Sequence, residues 1–135
     1  MTTLFLDASA LLALHLESTH RHIVVDALDN SSTWCASALA LGESLAAVSR
    51  LTEDPVIRRE LEDNIRHTWD FLHVVPVDQR CLDDAVELTG TQPVSMSTAV
   101  HLSAATRLPR PVAFATFDAA HIPVALSLGL EVVSG

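Results

Sequence analysis

Five short apolar segments punctuate the chain, at Thr3–Leu6, Thr33–Ala36, His73–Val77, Val112–Ala115 and Glu131–Val133. Each is partly β-branched or aromatic, as strands buried on both faces are. Between them run helix-like stretches at Ser9 to Leu16, Ser37 to Arg50, Pro55 to Leu72, Asp78 to Thr89, Ser95 to Leu108 and Asp118 to Leu128. In the third, Ile57, Leu61, Ile65 and Trp69 recur every four residues with charges between them, which predicts one core-facing stripe continued by Leu72. In the fourth, Asp78 suits a cap, and Leu82, Ala85 and Val86 share a side. Breaks fall at Gly90-Thr91-Gln92-Pro93, at Leu108-Pro109-Arg110-Pro111 and at Gly129. They read as connections, not linkers. Strands alternating with helices predict an α/β fold, a parallel sheet covered on both faces. At 135 residues the chain is expected to be one domain, spanning 1–135.

About half of the residues are hydrophobic, enough for a core at this length. Eight basic residues stand against seventeen acidic ones, a net charge of −9, with no basic tail or arm. That balance disfavours a protein that coats nucleic acid through Lys/Arg–phosphate contacts. It leaves open an enzyme that meets phosphate through a bound cation. Every basic residue is Arg, and Lys is absent. The chain therefore has no P-loop lysine and no Schiff-base lysine. A phospho-accepting receiver domain, which needs a late-strand Lys, is excluded on the same ground. Cys35 and Cys81, each in an apolar setting, read as buried thiols in a reducing compartment. No positive region precedes the first apolar run, which Asp7 interrupts, so it does not read as a signal peptide. No apolar stretch approaches a membrane span. A soluble cytoplasmic protein is expected.

The candidate chemistry begins at Asp7, just past the first strand, and recurs at Asp118, just past the fourth. In a parallel sheet both would project from the carboxyl edge, where open α/β folds place their sites. Either residue alone reads first as a helix cap, with Ser9 assisting Asp7, and only their combination favours a site. Glu43 is a third acid, alone in an apolar helix and costly to bury without a partner. It lies less than two turns from the helix start, within reach of the edge carrying Asp7, with solvent or Arg50 as its alternative partners. Two carboxylates about 5 Å apart repel by roughly 3 kcal/mol at an effective dielectric of 20. Gathering three calls for protons or a cation. Oxygen ligands with open water positions suit Mg²⁺ or Mn²⁺.

Leu6-Asp7-Ala8-Ser9-Ala10-Leu11, Ala38 to Ala47 around Glu43, and Ala115-Thr116-Phe117-Asp118 follow in order, with Leu128-Gly129-Leu130-Glu131-Val132-Val133 as a last strand. Together they resemble the PIN domain family, most closely the VapC-like toxins of bacterial type II toxin–antitoxin systems. The resemblance covers the whole chain. It implies a three-layer α/β/α fold around a parallel five-stranded sheet, with the first strand beside the fourth. It also implies Mg²⁺- or Mn²⁺-dependent endonucleolytic cleavage of RNA. Asp7 and Asp118 would bind metal, and Glu43 would complete the catalytic trio by ligating through water or by orienting the nucleophile. Ser9 and Thr116 would hold the carboxylates by hydrogen bonds. A cognate antitoxin laying a helix near the Ile57–Leu72 stripe, and a homodimer, belong to the same implication. One position departs from the family. Its third acid precedes a stretch here written Ala99-Val100-His101-Leu102-Ser103-Ala104-Ala105, and Thr98 occupies that place. A neutral hydroxyl predicts weaker metal binding and counts against a second ion. It also sustains an alternative, a catalytically weakened PIN-like module that binds RNA or antitoxin.

The remaining polar residues read more plainly. Asp83 and Asp84 are assigned to an exposed helix face. His20 and His22 do not share a helix face and lack a zinc ligand set. His101 is read as a packed helix histidine in preference to a site residue. Arg50 is read as a surface residue.

Overall fold

The computed structural model describes residues 2–135. The elements run β1 (Thr3–Leu6), α1 (Ala8–Ala13), α2 (Thr19–Asp29), β2 (Thr33–Ser37), α3 (Leu39–Leu51), α4 (Pro55–Trp69), β3 (His73–Val75), α5 (Gln79–Thr91), α6 (Met96–Thr106), β4 (Val112–Ala115), a 3₁₀ turn (Ala119–His121), α7 (Ile122–Ser127) and β5 (Glu131–Val133). All strands pair in parallel, in the order β3-β2-β1-β4-β5. Alternate residues of each central strand face opposite helix layers. Leu4, Leu6, Ala113 and Ala115 pack against α1 to α4, whereas Phe5, Val112 and Phe114 pack against α5 to α7. This is the predicted three-layer α/β/α arrangement. Among the described residues no helix is long and apolar enough to cross a membrane.

The departures from the predicted elements have local causes. The first helix is shorter than Ser9 to Leu16, because it starts directly on the Asp7 cap and turns out at Leu14. A helix at Thr19–Asp29 escaped the hydropathy pattern, since its first turn, Thr19-His20-Arg21-His22, is entirely polar. The third strand stops at Val75, before Pro76, which has no N–H for a ladder. Gly90 does not break its helix, which runs on to Thr91. The last predicted helix is divided, with Pro123 placed in the first turn of α7, where its missing N–H costs nothing. In the predicted core stripe, Ile65 and Leu72 are buried, but Ile57 is 48 % exposed. It sits in the first turn of α4, beyond the reach of the sheet. Cys35 and Cys81 are free and buried, and burial pushes both thiols up.

Where α1, α2 and α4 meet, His15 Nε2 bonds Thr68 Oγ1 at 3.1 Å beside a cavity of about 450 Å³. Burial, aided by nearby Arg21, pulls the His15 pKa below its ordinary value. The folded state thus prefers His15 neutral. Its contribution to stability is complete above the unfolded pKa of about 6.5 and is lost as pH falls through the lower folded value. We therefore expect His15→Gln to flatten the fall in melting temperature below pH 6.5. An unchanged profile in that variant would refute the assignment.

Candidate metal centre at the carboxyl edge of the sheet

The register Leu6↔Ala115 places Asp7 level with Thr116, and Asp7 N–H continues the ladder onto the Ala115 carbonyl at 3.2 Å. The strand order makes the β1–β4 junction a switch point, since the chain leaves β1 toward β2 on its other side. Asp7 is buried, and Asp118 projects two residues beyond Thr116 with its side chain 53 % exposed.

Each carboxylate divides its oxygens. Asp7 Oδ1 accepts from Ser9 Oγ at 2.6 Å and from Ala10 N–H at 2.9 Å, capping α1. Asp118 Oδ1 accepts from Ala120 N–H at 3.0 Å, capping the 3₁₀ turn. The Oδ2 atoms both face His121, 3.8 Å from its Nδ1 for Asp7 and 3.1 Å from its Nε2 for Asp118. Cap and cleft roles therefore coexist in one side chain, because a carboxylate has acceptor sites to spare. Ser9 also ties the two strand ends together, its Oγ accepting from Phe117 N–H at 3.0 Å. Thr116 Oγ1 accepts from Asp118 N–H at 3.2 Å, so it holds Asp118 through the backbone and not through the carboxylate.

Glu43 reaches the same cleft from the second turn of α3. Its partner is neither solvent alone nor Arg50. His101 Nε2 bonds Glu43 Oε1, and His101 Nδ1 lies 2.9 Å from Ser37 Oγ, which accepts from Leu39 N–H. A carboxylate only accepts, so Nε2 carries the proton directed at Glu43, while Ser37 Oγ is the hydrogen-bond partner of Nδ1. The chain Leu39–Ser37–His101–Glu43 orients the acid. His101 is thus buried, as read from the sequence, and is also part of the site. Thr98 is buried too, with its Oγ1 3.1 Å from Ser95 Oγ and 3.0 Å from His121 Nε2. Asp83 and Asp84 lie on an exposed face of α5, as expected.

Asp7, Glu43, Thr98, His101, Asp118 and His121 line one cleft of about 340 Å³. Burial alone would raise the Asp7 pKa. The neighbouring His121 imidazole, the Ser9 and Ala10 hydrogen bonds and the nearby Thr116 hydroxyl outweigh it and hold the carboxyl below its ordinary range. The His101 hydrogen bond lowers Glu43, against desolvation and the like charge of Asp7. His121 is raised, chiefly by the Asp7 carboxylate beside it, against desolvation and with help from Asp118. Nothing in the local sequence marks His121 except its position, three residues beyond Asp118, where a 3₁₀ turn folds i+3 back onto i.

The chain belongs to the PIN domain family, whose model matches residues 4–135. Several solved structures share its fold. FitAcB from Neisseria gonorrhoeae aligns at TM-score 0.74 and 14% identity, over 96% of this chain and 95% of that one. VapBC2 from Rickettsia felis, bound to a promoter DNA fragment, aligns at TM-score 0.70 and 12% identity, over 98% of both chains. VapC20 of Mycobacterium tuberculosis, a sarcin-ricin loop cleaving toxin, aligns at TM-score 0.61 and 16% identity, over 77% of this chain and 82% of that one. No curated protein matches the sequence.

PIN nucleases generally use a divalent metal. Among the described residues no three His, Cys, Asp or Glu side chains form a ready-made cage. The donor set is of the open kind. Two carboxylates, each with one oxygen turned to a shared polar cleft and room for solvent, fit a hard divalent ion.

Proposed function

We propose that the chain is a VapC-like toxin, a metal-dependent endoribonuclease neutralised by a cognate antitoxin. The convergence of Asp7, Glu43 and Asp118 on one cleft at the β1–β4 switch point carries this reading. A sarcin-ricin loop cleaving toxin and a toxin–antitoxin complex among the solved structures of the same fold support it. Asp7 and Asp118 would hold Mg²⁺ or Mn²⁺ through their Oδ2 atoms. Such an ion supplies Lewis-acid polarisation of the phosphodiester and a more acidic water. Glu43, with Oε1 fixed by His101, would take the proton of the attacking water as the P–O bond of the leaving group breaks. It is ionised at neutral pH, and because the His101 hydrogen bond lowers its pKa it is a weak base that also serves to orient the water. Arg50 lines a second cleft that shares Ala8, Ser9 and Glu43 with the first, a placement suited to a neighbouring RNA phosphate. The direct test is incubation of purified chain with RNA and Mn²⁺ or Mg²⁺. Internal cuts that chelation stops are expected, and RNA left whole under both ions defeats the proposal.

Thr98 favours a second reading, a binding module without cleavage, because its hydroxyl brings no charge. Thr98→Asp separates the two. Residue 98 is the third residue of α6, its N–H bonded to Ser95 Oγ at 3.3 Å, a position where an acid suits the helix dipole. The variant is expected to fold and to bind Mg²⁺ about tenfold more tightly, as one more charged oxygen ligand brings. An inert wild type with a cutting variant supports the module. A wild type that already cuts ends it.

A further inference from the structure

We propose that His121 is a metal ligand, its Nε2 standing in for the acid that Thr98 does not supply. This rests on the metal-dependent reading above and goes beyond its all-oxygen donor set. The imidazole enters the cleft from the turn after β4, opposite α6, and reaches the hydroxyl at the vacated position. Nε2 lies 3.0 Å from Thr98 Oγ1 and 3.1 Å from Asp118 Oδ2. Neighbouring ligands of an octahedral ion with bonds of about 2.1 Å stand about 3.0 Å apart. Thr98 Oγ1 and Asp118 Oδ2 each stand from Nε2 at that spacing, and the same distances serve as hydrogen bonds. Asp7 Oδ2 lies 3.8 Å from the other ring nitrogen, Nδ1. Nδ1 also faces Thr116 Oγ1 at 3.5 Å, an outer partner that fixes the ring's orientation. His121 is only half-buried, so solvent reaches the remaining positions.

A nitrogen donor changes which ion the site prefers. Mg²⁺ favours oxygen, whereas imidazole suits first-row transition ions. The chain should accordingly favour Mn²⁺ over Mg²⁺, and replacing the imidazole should reduce that preference.

The test is pulsed electron paramagnetic resonance of the full chain loaded with Mn²⁺, together with Mn²⁺ and Mg²⁺ titrations. The wild type is expected to show nitrogen modulation from a coordinated imidazole. His121→Ala and His121→Gln should lose it and bind Mn²⁺ about tenfold or more weakly, with a smaller change for Mg²⁺. Circular dichroism checks that both variants fold. If neither does, the wild-type spectrum, recorded with and without ¹⁵N-histidine, still decides whether nitrogen is bound. Mn²⁺ that binds without nitrogen modulation, or modulation that survives both substitutions, overturns the role of His121 and leaves the nuclease reading standing. Failure of the wild type to bind Mn²⁺ or Mg²⁺ overturns both.

Discussion

Asp7→Asn should reduce RNA cleavage by about a thousandfold, the scale at which a single electrostatic contributor is lost from a catalytic site. The substitution is nearly isosteric. The amide oxygen can still accept from Ser9 Oγ and Ala10 N–H, so the cap on α1 survives. What disappears is the negative charge on the oxygen facing His121 and the cleft. The ionised carboxyl is net favourable in the fold, so its loss costs some stability, but with the cap kept the variant should still fold. Cleavage of RNA in vitro and growth arrest on expression are the two readouts, with a circular dichroism spectrum to confirm folding. A folded Asp7→Asn that still cuts RNA at the wild-type rate would show that Asp7 does not hold the catalytic ion.

Phe114→Ala should cost about 3–5 kcal/mol, a large part of the roughly 5–15 kcal/mol that holds a domain together. Phe114 is fully buried and stacks on Phe5, with ring centroids 5.6 Å apart and planes 11° from parallel. The pair joins β1 to β4 on the face covered by α5 to α7. Deleting one ring leaves a cavity that neighbours on a central parallel sheet cannot close without breaking ladder hydrogen bonds. Urea denaturation should show a lower midpoint with an unchanged slope. A loss below about 1 kcal/mol would mean that the sheet relaxes around the gap. The consequence reaches the cleft, because Phe5 lies two residues before Asp7 and Phe114 two before Thr116. A looser β1–β4 seam would alter the spacing of Asp7 and Asp118 before it unfolded the chain.

Much of this organisation was readable from residue order. The five strands and most helices announced themselves, since a doubly covered parallel strand must be apolar throughout and a helix on it must carry a stripe. The acids at strand ends were visible for the same reason, as polar interruptions of apolar runs. The helix at Thr19–Asp29 was not, because its polar first turn hides the stripe and only Val24 is fully buried. Ile57 misled in the opposite direction. A periodic position predicts which side of a helix faces inward, but not how far along the helix the core extends.

The sequence by itself determined the layers, the strand ends and the residues able to carry charge, because these depend on local periodicity and on chain order. Only the tertiary structure decided how those charges are shared. It brought His101 to Glu43 from 58 residues away and Thr98 to His121 from 23. It also split each aspartate into one oxygen that caps a helix and one that faces the cleft. Partners so distant along the chain have no common period, and only packing α6 and the turn after β4 against the same sheet edge makes them neighbours.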